Sequence, residues 1–404
     1  MFTFAARDPA ILGSQSNLPH ERKYEGVRLS TRSQKPNSRS SRHAPAKEQA
    51  AAASSGARAT KKPIASPRAP IPANSPRWPF SFRDSVRLAL IASLLIALVE
   101  YVRFWSYVQT GTGAAAARPN VADAFLPLGG LAALKTWLAT GYFDTLHPVA
   151  IVVVVAILLT AWLFRRAPCA WLCPIGMISE YLAKLGQRLF GKNIRVPKWL
   201  DRALVGLKYA GTFLFLLWLL SAPVGSLRAF MDTPFYAVAD MKLFDVYAKF
   251  GIGIIAAVGA IVVVSIPVKS FWCRYLCPYG ALQGIFGVLS PTVLAKNDAT
   301  CTSCGRCNRV CPNGVDVAHA SGAVVSAECM GCTSCVSACP QNNTLAFKFG
   351  GKKVLDPLSF GLLFIVVFLA VVTVAVVTGH FGNGLSPQEY RAMLQMSSDV
   401  RLPM

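Results

Sequence analysis

The chain has 404 residues, of which 53% are hydrophobic, with a mean hydropathy of +0.42 and a formal net charge of +22. This apolar content excludes an ordinary soluble domain, and the basic charge needs its own explanation. Long uncharged segments flanked by Lys and Arg would account for both, because basic loops of membrane proteins stay in the cytoplasm. Nucleic-acid binding would explain the charge but not the apolar segments, so we expect no nucleic-acid partner.

Residues 1–79 form the first region, which is rich in Ser, Ala, Pro and basic side chains. Such a composition predicts disorder, because too little apolar surface is available to form a core. The region also lacks the apolar segment and small-residue cleavage site of a secretory signal. We therefore expect a basic arm that either touches anionic lipid or has no role of its own.

Five apolar stretches are long enough, or nearly so, to cross a hydrocarbon core that requires roughly 20 residues. They are Leu88–Tyr107, Val149–Phe164, Ala203–Ala222, Phe250–Val268 and Leu358–Gly379. Segments 165–202 and 269–353 hold eight Lys or Arg each, whereas segments 109–147 and 223–247 hold two each. By the positive-inside rule, we predict a multi-pass protein of the bacterial inner membrane whose N-terminus and two basic loops are cytoplasmic.

All 12 cysteines fall into four groups within the two basic loops. Two of the groups have the spacing CxxCxxCxxxCP, and they end at Pro312 and Pro340. In this spacing three thiolates bind one [4Fe-4S] cluster and the fourth binds the neighbouring cluster. We therefore predict one cluster on Cys301, Cys304, Cys307 and Cys339, and a second on Cys311, Cys329, Cys332 and Cys335.

Structural disulfides and zinc are the alternatives for these eight cysteines. A reducing cytoplasm disfavours disulfides. Zinc sites use paired CxxC elements rather than two complete four-cysteine runs. Two adjacent iron–sulfur clusters leave no room for a substrate, so their predicted task is electron transfer rather than bond making.

Two further motifs, of the form CxxxCPxG, follow the second and fourth apolar stretches. Cys169, Cys173 and Gly176 belong to the first, and Cys273, Cys277 and Gly280 belong to the second. The motifs match at an offset of 104 residues, from 169 to 273, which indicates a repeat of two helical hairpins. Cysteines at i and i+4 share one helix face, so the two pairs could converge on one site. The spacing leaves open whether these candidate catalytic residues ligate a metal, cycle between dithiol and disulfide, adjoin a quinone or only pack.

Ionisable residues near the predicted membrane boundary are weaker candidates. Glu100 and Arg103 lie in the outer half of the first stretch, His147 opens the second, and His380 follows the fifth. Such groups could take protons from a quinol, or the two histidines could ligate a haem. We favour the simpler interpretation of an interfacial ion pair and solvated histidines.

These features predict a mainly α, polytopic membrane protein of about five transmembrane helices with two repeated hairpins. A two-cluster, bacterial-ferredoxin-like α+β segment is inserted between the fourth and fifth helices. The expected regions are 1–79 (basic arm), 80–298 (four helices with both CxxxCP motifs), 299–345 (cytoplasmic ferredoxin-like domain), 346–382 (fifth helix) and 383–404 (short outer tail).

With all four cysteine motifs in place, residues 86–345 resemble the NapH, NosR and MauN group of membrane ferredoxins. The resemblance implies electron transfer from the quinol pool or a flavin to a redox partner, as in nitrate or nitrous oxide reduction or methylamine oxidation. It supports the eight cluster ligands and marks Cys169, Cys173, Cys273 and Cys277 as the characteristic pairs of the group. Whether such a chain is itself a quinol dehydrogenase is left open.

Two departures separate the chain from particular members of the group. NosR-like proteins carry a large outer flavin-binding region, for which segment 109–147 is too short, and a helix after the clusters is absent from the shortest NapH-like pattern.

The alternative function is that of the CcoG and FixG maturation factors, which share both motif types and reduce copper for oxidase assembly. Those factors carry a globular domain after the last span, whereas about 25 residues follow Gly379 here.

Overall fold

A computed structural model describes residues 81–112, 116–191, 193–194, 196–249, 251–341 and 343–399. The predicted disordered arm, residues 1–79, lies outside the described residues. The membrane part contains α1 (Phe82–Thr110), α2 (Pro127–Thr140), α3 (Pro148–Phe164), α4 (Ala167–Trp171), α5 (Pro174–Phe190), α6 (Lys198–Ser221), α7 (Val224–Met231), α8 (Pro234–Ala237), α9 (Ala239–Lys249) and α10 (Gly251–Ser265).

The remaining elements alternate between short helices and strands before the last two helices. They are α11 (Pro278–Val288), β1 (Thr292–Lys296), α12 (Arg306–Val310), β2 (Ala323–Val324), α13 (Ser334–Ser337), β3 (Leu345–Phe349), β4 (Lys353–Leu355), α14 (Pro357–Val377) and α15 (Pro387–Asp399). A 3₁₀ turn at Asn120–Phe125 precedes α2, and a π-helical turn at Trp272–Leu276 precedes α11. The fold is mainly helical, as predicted.

Three of the described helices, α1, α6 and α14, are long and apolar enough to cross a membrane. The helix α3 and the apolar part of α10, Ile252–Ser265, are shorter. Each of the five apolar stretches seen in the sequence thus overlaps a helix, while the count of five spans remains a prediction. Local sequence sets where these helices begin: Ser81 and Asp84 form a capping box at α1, and Asp356 caps α14 before Pro357.

The two hairpin repeats pack across one another. The helix that follows each CxxxCP motif, α5 or α11, contacts the apolar helix of the other repeat: α5 contacts α10, and α11 contacts α3. Glycines permit this close approach, because a Cβ on Gly186 of α5 would lie 1.9 Å from the carbonyl oxygen of Ile266. Because the helix of each motif packs on the other repeat, the ends of both repeats lie on the same side of the bundle.

The ferredoxin-like segment contains an antiparallel sheet with strand order β2-β1-β3-β4. The sheet runs from residue 292 to residue 355, so it includes chain on both sides of the segment 299–345. Phe347 of β3 packs on Phe360 of α14 with ring centroids 4.7 Å apart, and Phe360 in turn contacts Phe164 at the end of α3. This buried aromatic cluster holds the segment against the end of the helical bundle.

At the opposite end of the bundle, α15 lies on α1 and α8. Tyr390 of α15 is fully buried and packs edge-on against Phe104 of α1 at 5.3 Å between centroids. Residues 387–399 of the predicted outer tail are therefore a packed helix.

Candidate iron–sulfur electron-transfer site

The structure brings the eight ferredoxin cysteines together in two sets of four. One set lines a small cavity, the Cys301 cavity, and the other lines a second small cavity, the Cys329 cavity. The Cys301 cavity is lined by Cys301, Cys304, Cys307 and Cys339, and the Cys329 cavity is lined by Cys311, Cys329, Cys332 and Cys335. These are the two groups of cysteines that the crossed spacing rule assigns to two clusters.

Left-handed backbone turns wrap both runs of cysteines around their cavities. The first run has positive φ at Ser303 (53°) and Gly305 (67°), and the second has positive φ at Gly331 (56°) and Thr333 (58°). Each run therefore places one glycine and one hydroxyl residue at two equivalent left-handed positions. Non-glycine residues adopt this conformation at a cost, and such strain persists where the surrounding structure fixes a functional geometry.

The thiols of the Cys329 cavity are held in an apolar setting. Burial raises the pKa of Cys311 to about 12, with further contributions from the charges of Cys332 and Cys329. The backbone N–H of Val315 donates to Cys311 Sγ at 3.2 Å. A bound iron–sulfur cluster would deprotonate such thiols outright, and backbone N–H donors aimed at sulfur suit thiolate ligands. The donor set of each cavity thus fits a [4Fe-4S] cluster.

The two cavities differ in their access to solvent. Cys335 is buried and Cys304 is exposed. The helices α12 and α13, which carry Cys307 and Cys335, contact each other between the cavities. The Cys301 cavity therefore faces solvent, and the Cys329 cavity lies between it and the helical bundle.

The CxxxCP motifs form matching turns at the ends of α3 and α10. Cys173 and Cys277 are the N-cap residues of α5 and α11, and Pro174 and Pro278 occupy the first helical positions. The N–H of Gly280 donates to Cys277 Sγ at 3.3 Å. The sulfur of Cys277 thus caps α11, whereas Cys173 makes no side-chain capping bond at α5.

The glycine of each motif has a close neighbour, which is the first cysteine in the first motif and Arg166 in the second. A Cβ on Gly176 would lie 2.2 Å from the carbonyl oxygen of Cys169, and one on Gly280 would lie 2.5 Å from Arg166 Nη2. The neighbour of Gly176 is a backbone atom and leaves no room for a side chain, whereas the neighbour of Gly280 is the end of the flexible Arg166 side chain.

The two pairs converge on one site, here called the four-cysteine site: Cys169, Cys173, Cys273 and Cys277. Burial raises the pKa of Cys173 to about 12, with contributions from the charges of the other three cysteines. Burial likewise raises the pKa of Cys273 to about 11, with contributions from Cys169 and Cys277. Each thiol therefore lies within electrostatic range of the others, as the repeat in the sequence suggested.

At the four-cysteine site, each repeat supplies a polar side chain that contacts a cysteine of the other repeat. Cys169 Sγ donates to Gln283 Oε1 of α11 at 3.3 Å, and Cys273 Sγ lies 3.6 Å from Ser179 Oγ of α5. Ser179 and Gln283 are themselves equivalent at the 104-residue offset. Neither residue was identified from the sequence, although the repeat offset together with the helix register would have paired them.

A buried ionic network connects the four-cysteine site to the Cys329 cavity. Glu328, which precedes Cys329, accepts from Arg166 Nη1 at 2.7 Å and from Lys208 Nζ at 2.8 Å. Tyr209 also donates to this carboxylate at 2.8 Å. Burial would raise the pKa of Glu328, but the charges of Arg166 and Lys208 lower it, so the carboxyl is ionised. Sequence reasoning missed this network, because Glu328 is 162 residues from Arg166 and 120 residues from Lys208 along the chain.

Trp171, inside the first CxxxCP motif, makes a second connection. Its Nε1 donates to the carbonyl oxygen of Gly331 in the Cys329 loop at 3.2 Å, and its ring packs against Phe360 and Phe364. A Cβ on Gly361 would lie 2.3 Å from this ring, so α14 needs a glycine there. The four-cysteine site and the Cys329 cavity are thus in direct structural contact.

The ionisable candidates at the far end of the bundle lie apart from the cysteines. His147 is fully buried rather than solvated, so that part of the sequence interpretation was wrong. Its Nδ1 lies 2.8 Å from Asp123 Oδ1 and its Nε2 lies 2.8 Å from the carbonyl oxygen of Tyr236. Burial would lower the pKa of His147, but the bond to Asp123 raises it, which favours an imidazolium with both nitrogens engaged. Such a histidine has no nitrogen free for a haem.

The other outer candidates are separate from this network. Glu100 and Arg103 are exposed on α1, and no ion pair joins them within the described helix. His380 lies in contact with Thr378, at 3.0 Å from its hydroxyl, and with the ring of Phe143. The structure does not bring Glu100, Arg103 or His380 to the cysteine sites.

Family comparisons agree with the motifs. A model described as a 4Fe-4S binding domain matches residues 146–193 and 250–295, and one described as a 4Fe-4S dicluster domain matches residues 294–340. The first match falls on both CxxxCP repeats, and the second falls on the ferredoxin segment. The chain is thus matched as an iron–sulfur protein along both halves of its cysteine region.

Several curated proteins are similar to this chain. YccM of Escherichia coli K12, which is named for electron transport, is 32% identical over 331 residues, covering 80% of this chain and 92% of its own length. The ferredoxin-type protein NapH of the same bacterium is 25% identical over 188 residues, or 44% of this chain and 60% of NapH. The methylamine utilization ferredoxin-type protein MauN of Methylobacillus flagellatus is 28% identical over 155 residues, or 36% of this chain and 48% of MauN. No solved structure matches the chain.

Proposed function

Because this chain belongs to the family of ferredoxin-type membrane proteins that includes NapH, NosR, MauN and YccM, we propose that it carries electrons between the quinol pool and a redox partner. The observation that supports this most is the arrangement of three cysteine sites in series. The four-cysteine site adjoins the Cys329 cavity, which adjoins the Cys301 cavity, whose Cys304 is exposed. Such a series suits electron transfer better than chemistry on a substrate.

In this proposal the cluster ligands are those predicted from spacing. Cys301, Cys304, Cys307 and Cys339 hold one [4Fe-4S] cluster, and Cys311, Cys329, Cys332 and Cys335 hold the other. When bound, such clusters supply one-electron redox chemistry. The chain supplies thiolate ligands, the N–H of Val315 to Cys311 Sγ, and an apolar enclosure that keeps water from the inner cavity.

The proposed location is the bacterial inner membrane, with the ferredoxin segment and the N-terminus in the cytoplasm. The charge asymmetry of the loops supports this orientation, because the basic segments 165–202 and 269–353 lie on the side of the cysteines. Three apolar helices long enough to span a bilayer support membrane insertion. Electrons from quinol would then enter near the four-cysteine site and leave past the exposed Cys304.

Mixing the purified, detergent-solubilised protein with a reduced quinol analogue under anaerobic conditions tests the proposal. We expect electron paramagnetic resonance signals of reduced [4Fe-4S] clusters, at an intensity that approaches that obtained with dithionite. Reduction of Cu(II) without any response to quinol would contradict the proposal and favour the copper-reducing maturation function. No cluster reduction by quinol at any concentration would also contradict it.

A further inference from the structure

A cavity of about 530 Å³, here called the Trp171 cavity, lies where the ferredoxin segment meets the first turns of two apolar helices. Phe82 of α1, Trp171 of α4 and Leu358 of α14 line it, together with Cys332 of the Cys329 loop. A volume of this size suits a small organic molecule. The cavity is therefore much larger than a packing defect, and it adjoins one of the eight ferredoxin cysteines.

The Trp171 cavity lies at the predicted boundary between membrane and cytoplasm. The helices α1 and α14 begin at Phe82 and Pro357, and both are long and apolar enough to span a bilayer. Leu358 lines the cavity and is 50% exposed, and Leu362, one turn further along α14, is 46% exposed. An apolar surface thus continues from the cavity along α14 toward the hydrocarbon core.

Two aromatic side chains give the Trp171 cavity an apolar wall. The ring centroids of Phe82 and Trp171 are 6.0 Å apart. The hydrogen bond from Trp171 Nε1 to Gly331 and the close approach of Gly361 hold the indole in place. A flat aromatic ligand gains stacking and edge contacts from a wall of this kind.

Polar groups at the same cavity offer both hydrogen-bond donors and acceptors. Arg83 Nη1 donates to the carbonyl oxygen of Cys332 at 2.8 Å and to Ser334 Oγ at 3.1 Å, and its Nη2 pairs with Glu180 at 3.0 Å. Lys184 also pairs with Glu180, and its side chain is 51% exposed. Carboxylate and hydroxyl oxygens can accept from the hydroxyl of a quinol, and guanidinium, ammonium and hydroxyl groups can donate to the carbonyl of a quinone.

An anionic lipid head group is the competing occupant, because Lys269 and Arg309 also line the cavity. The buried carboxylate of Glu180 would repel such a head group. An aromatic wall next to a cluster ligand would add nothing to the binding of a lipid. A neutral ring with two oxygen atoms and an apolar tail fits the lining better.

We propose that the Trp171 cavity binds the quinol, with its ring against Phe82 and Trp171 and its tail along Leu358 and Leu362. The inference deepens the proposed function and rests on it for the identity of the electron donor. Trp171 lies inside the first CxxxCP motif, so the cavity belongs to the region near the four-cysteine site where electrons enter. Cys332 then connects the cavity to the Cys329 cluster.

Oxidation of one quinol to a quinone releases two electrons and two protons. The two ferredoxin clusters take up one electron each, and the redox partner later reoxidises them. The protons pass from the two hydroxyl groups to water at the rim of the cavity, where Lys184 and Ser337 are exposed. A cavity that meets both the apolar surface of α14 and solvent provides for the tail and for the protons.

A pair of tryptophan variants on α14 tests the site in the full-length protein. Leu358→Trp places a larger side chain in the cavity, whereas Leu363→Trp, about 140° around the same helix and 40% exposed, does not. With decylubiquinol under anaerobic conditions, we expect L358W to show cluster reduction at least tenfold slower than the parent, and L363W to stay within twofold of it. Equal reduction of all three proteins by dithionite reports intact clusters.

The outcomes separate the site from the proposed function. Reduction of L358W at the parental rate, or equal slowing of L358W and L363W, would overturn the assignment of the cavity while the parent still accepts electrons from decylubiquinol. A parent that decylubiquinol does not reduce would overturn the proposed function and the inference together.

Photolabelling of the parent with an azidoquinone locates the bound ring directly. We expect labelled peptides from the lining of the cavity, in α5, in the loop at Cys332 or at the start of α14. Unlabelled decylubiquinone should prevent the labelling, whereas phosphatidylglycerol at the same concentration should not. Labelling confined to the opposite end of the bundle, or equal protection by the lipid, would overturn the inference.

Discussion

Glu180→Gln should loosen the contact between α1 and α5 at the cysteine end of the bundle. The Glu180 carboxylate binds Arg83 at 3.0 Å and Arg87 at 2.8 Å, and its side chain is 11% exposed. Burial alone would raise the pKa of Glu180, but the charges of Arg83, Arg87 and Lys184 lower it to about 2 from 4.5. At about 1.4 kcal/mol per pKa unit, this shift corresponds to about 3 kcal/mol.

The substitution removes the counter-charge that Arg83 and Arg87 share and leaves Arg87 with the longer contact to Asp84 at 3.8 Å, so we expect a loss of about 3 kcal/mol. Hydrogen exchange followed by mass spectrometry measures the effect locally, without requiring reversible unfolding of a cluster protein. We expect amides of α5 to exchange about 100-fold faster in E180Q than in the parent, because about 1.4 kcal/mol corresponds to a factor of ten.

Asp232→Asn provides the matched control, because it removes the exposed pair with Arg228 on α7, whose side chains are 39% and 56% exposed. Such surface pairs contribute about 0–1 kcal/mol, so exchange in α7 should change by less than about fivefold. Equal effects in E180Q and D232N would refute the assignment of a strong buried interaction.

The pH dependence follows from the direction of the Glu180 shift. Because the folded-state pKa lies below the unfolded value of 4.5, the stabilisation is fully present above that pH and is lost as pH falls toward about 2. The difference between E180Q and the parent should therefore stay constant between about pH 6 and pH 8. A difference that changes across this range would contradict the reasoning.

Three further predictions concern the cysteine site and the far end of the bundle. C169A/C273A should abolish reduction of the ferredoxin clusters by quinol while dithionite still reduces them, as measured by electron paramagnetic resonance; unchanged turnover would refute this role. Gly176→Ala should lower thermal stability in detergent by an overpacking cost of at least about 1–3 kcal/mol, because its Cβ would lie 2.2 Å from a carbonyl oxygen, whereas Gly206→Ala, with open space around it, should not. Asp123→Asn should cost about 3–5 kcal/mol, visible as a lower melting temperature, because it removes the buried carboxylate that contacts His147 and that shares Arg118 with Asp240, yet the iron content of the folded fraction should match that of the parent.

The sequence was informative where the chemistry is local. The spacing within each run of cysteines is local, and the crossed grouping of Cys311 with Cys329 and of Cys339 with Cys301 follows from the known pattern of that spacing. The resemblance to the membrane ferredoxin group is confirmed by YccM, which matches 80% of the chain, and by NapH, NosR and MauN, which match shorter parts of it. The position of the helix starts, at Pro174 and Pro278 for example, is likewise a local property.

Contacts between distant segments could not be predicted from the sequence. His147 was expected in solvent at a helix end, but Asp123 and Tyr236, from separate segments, enclose it. The ferredoxin segment docks against α6, and this docking brings Glu328 to Arg166 and Lys208. No periodic pattern in the sequence predicts such docking. A single sequence therefore indicates which side chains carry the chemistry, but not which buried charges surround them.

The order of the cysteine sites is the claim on which the account of electron flow depends. Rapid-freeze electron paramagnetic resonance of a C329A/C332A variant, mixed with a quinol analogue, tests it most directly. Because the Cys329 cavity lies between the bundle and the Cys301 cavity, the Cys301 cluster should remain oxidised with quinol although dithionite reduces it. Reduction of the Cys301 cluster by quinol at the rate of the parent would contradict the proposed series.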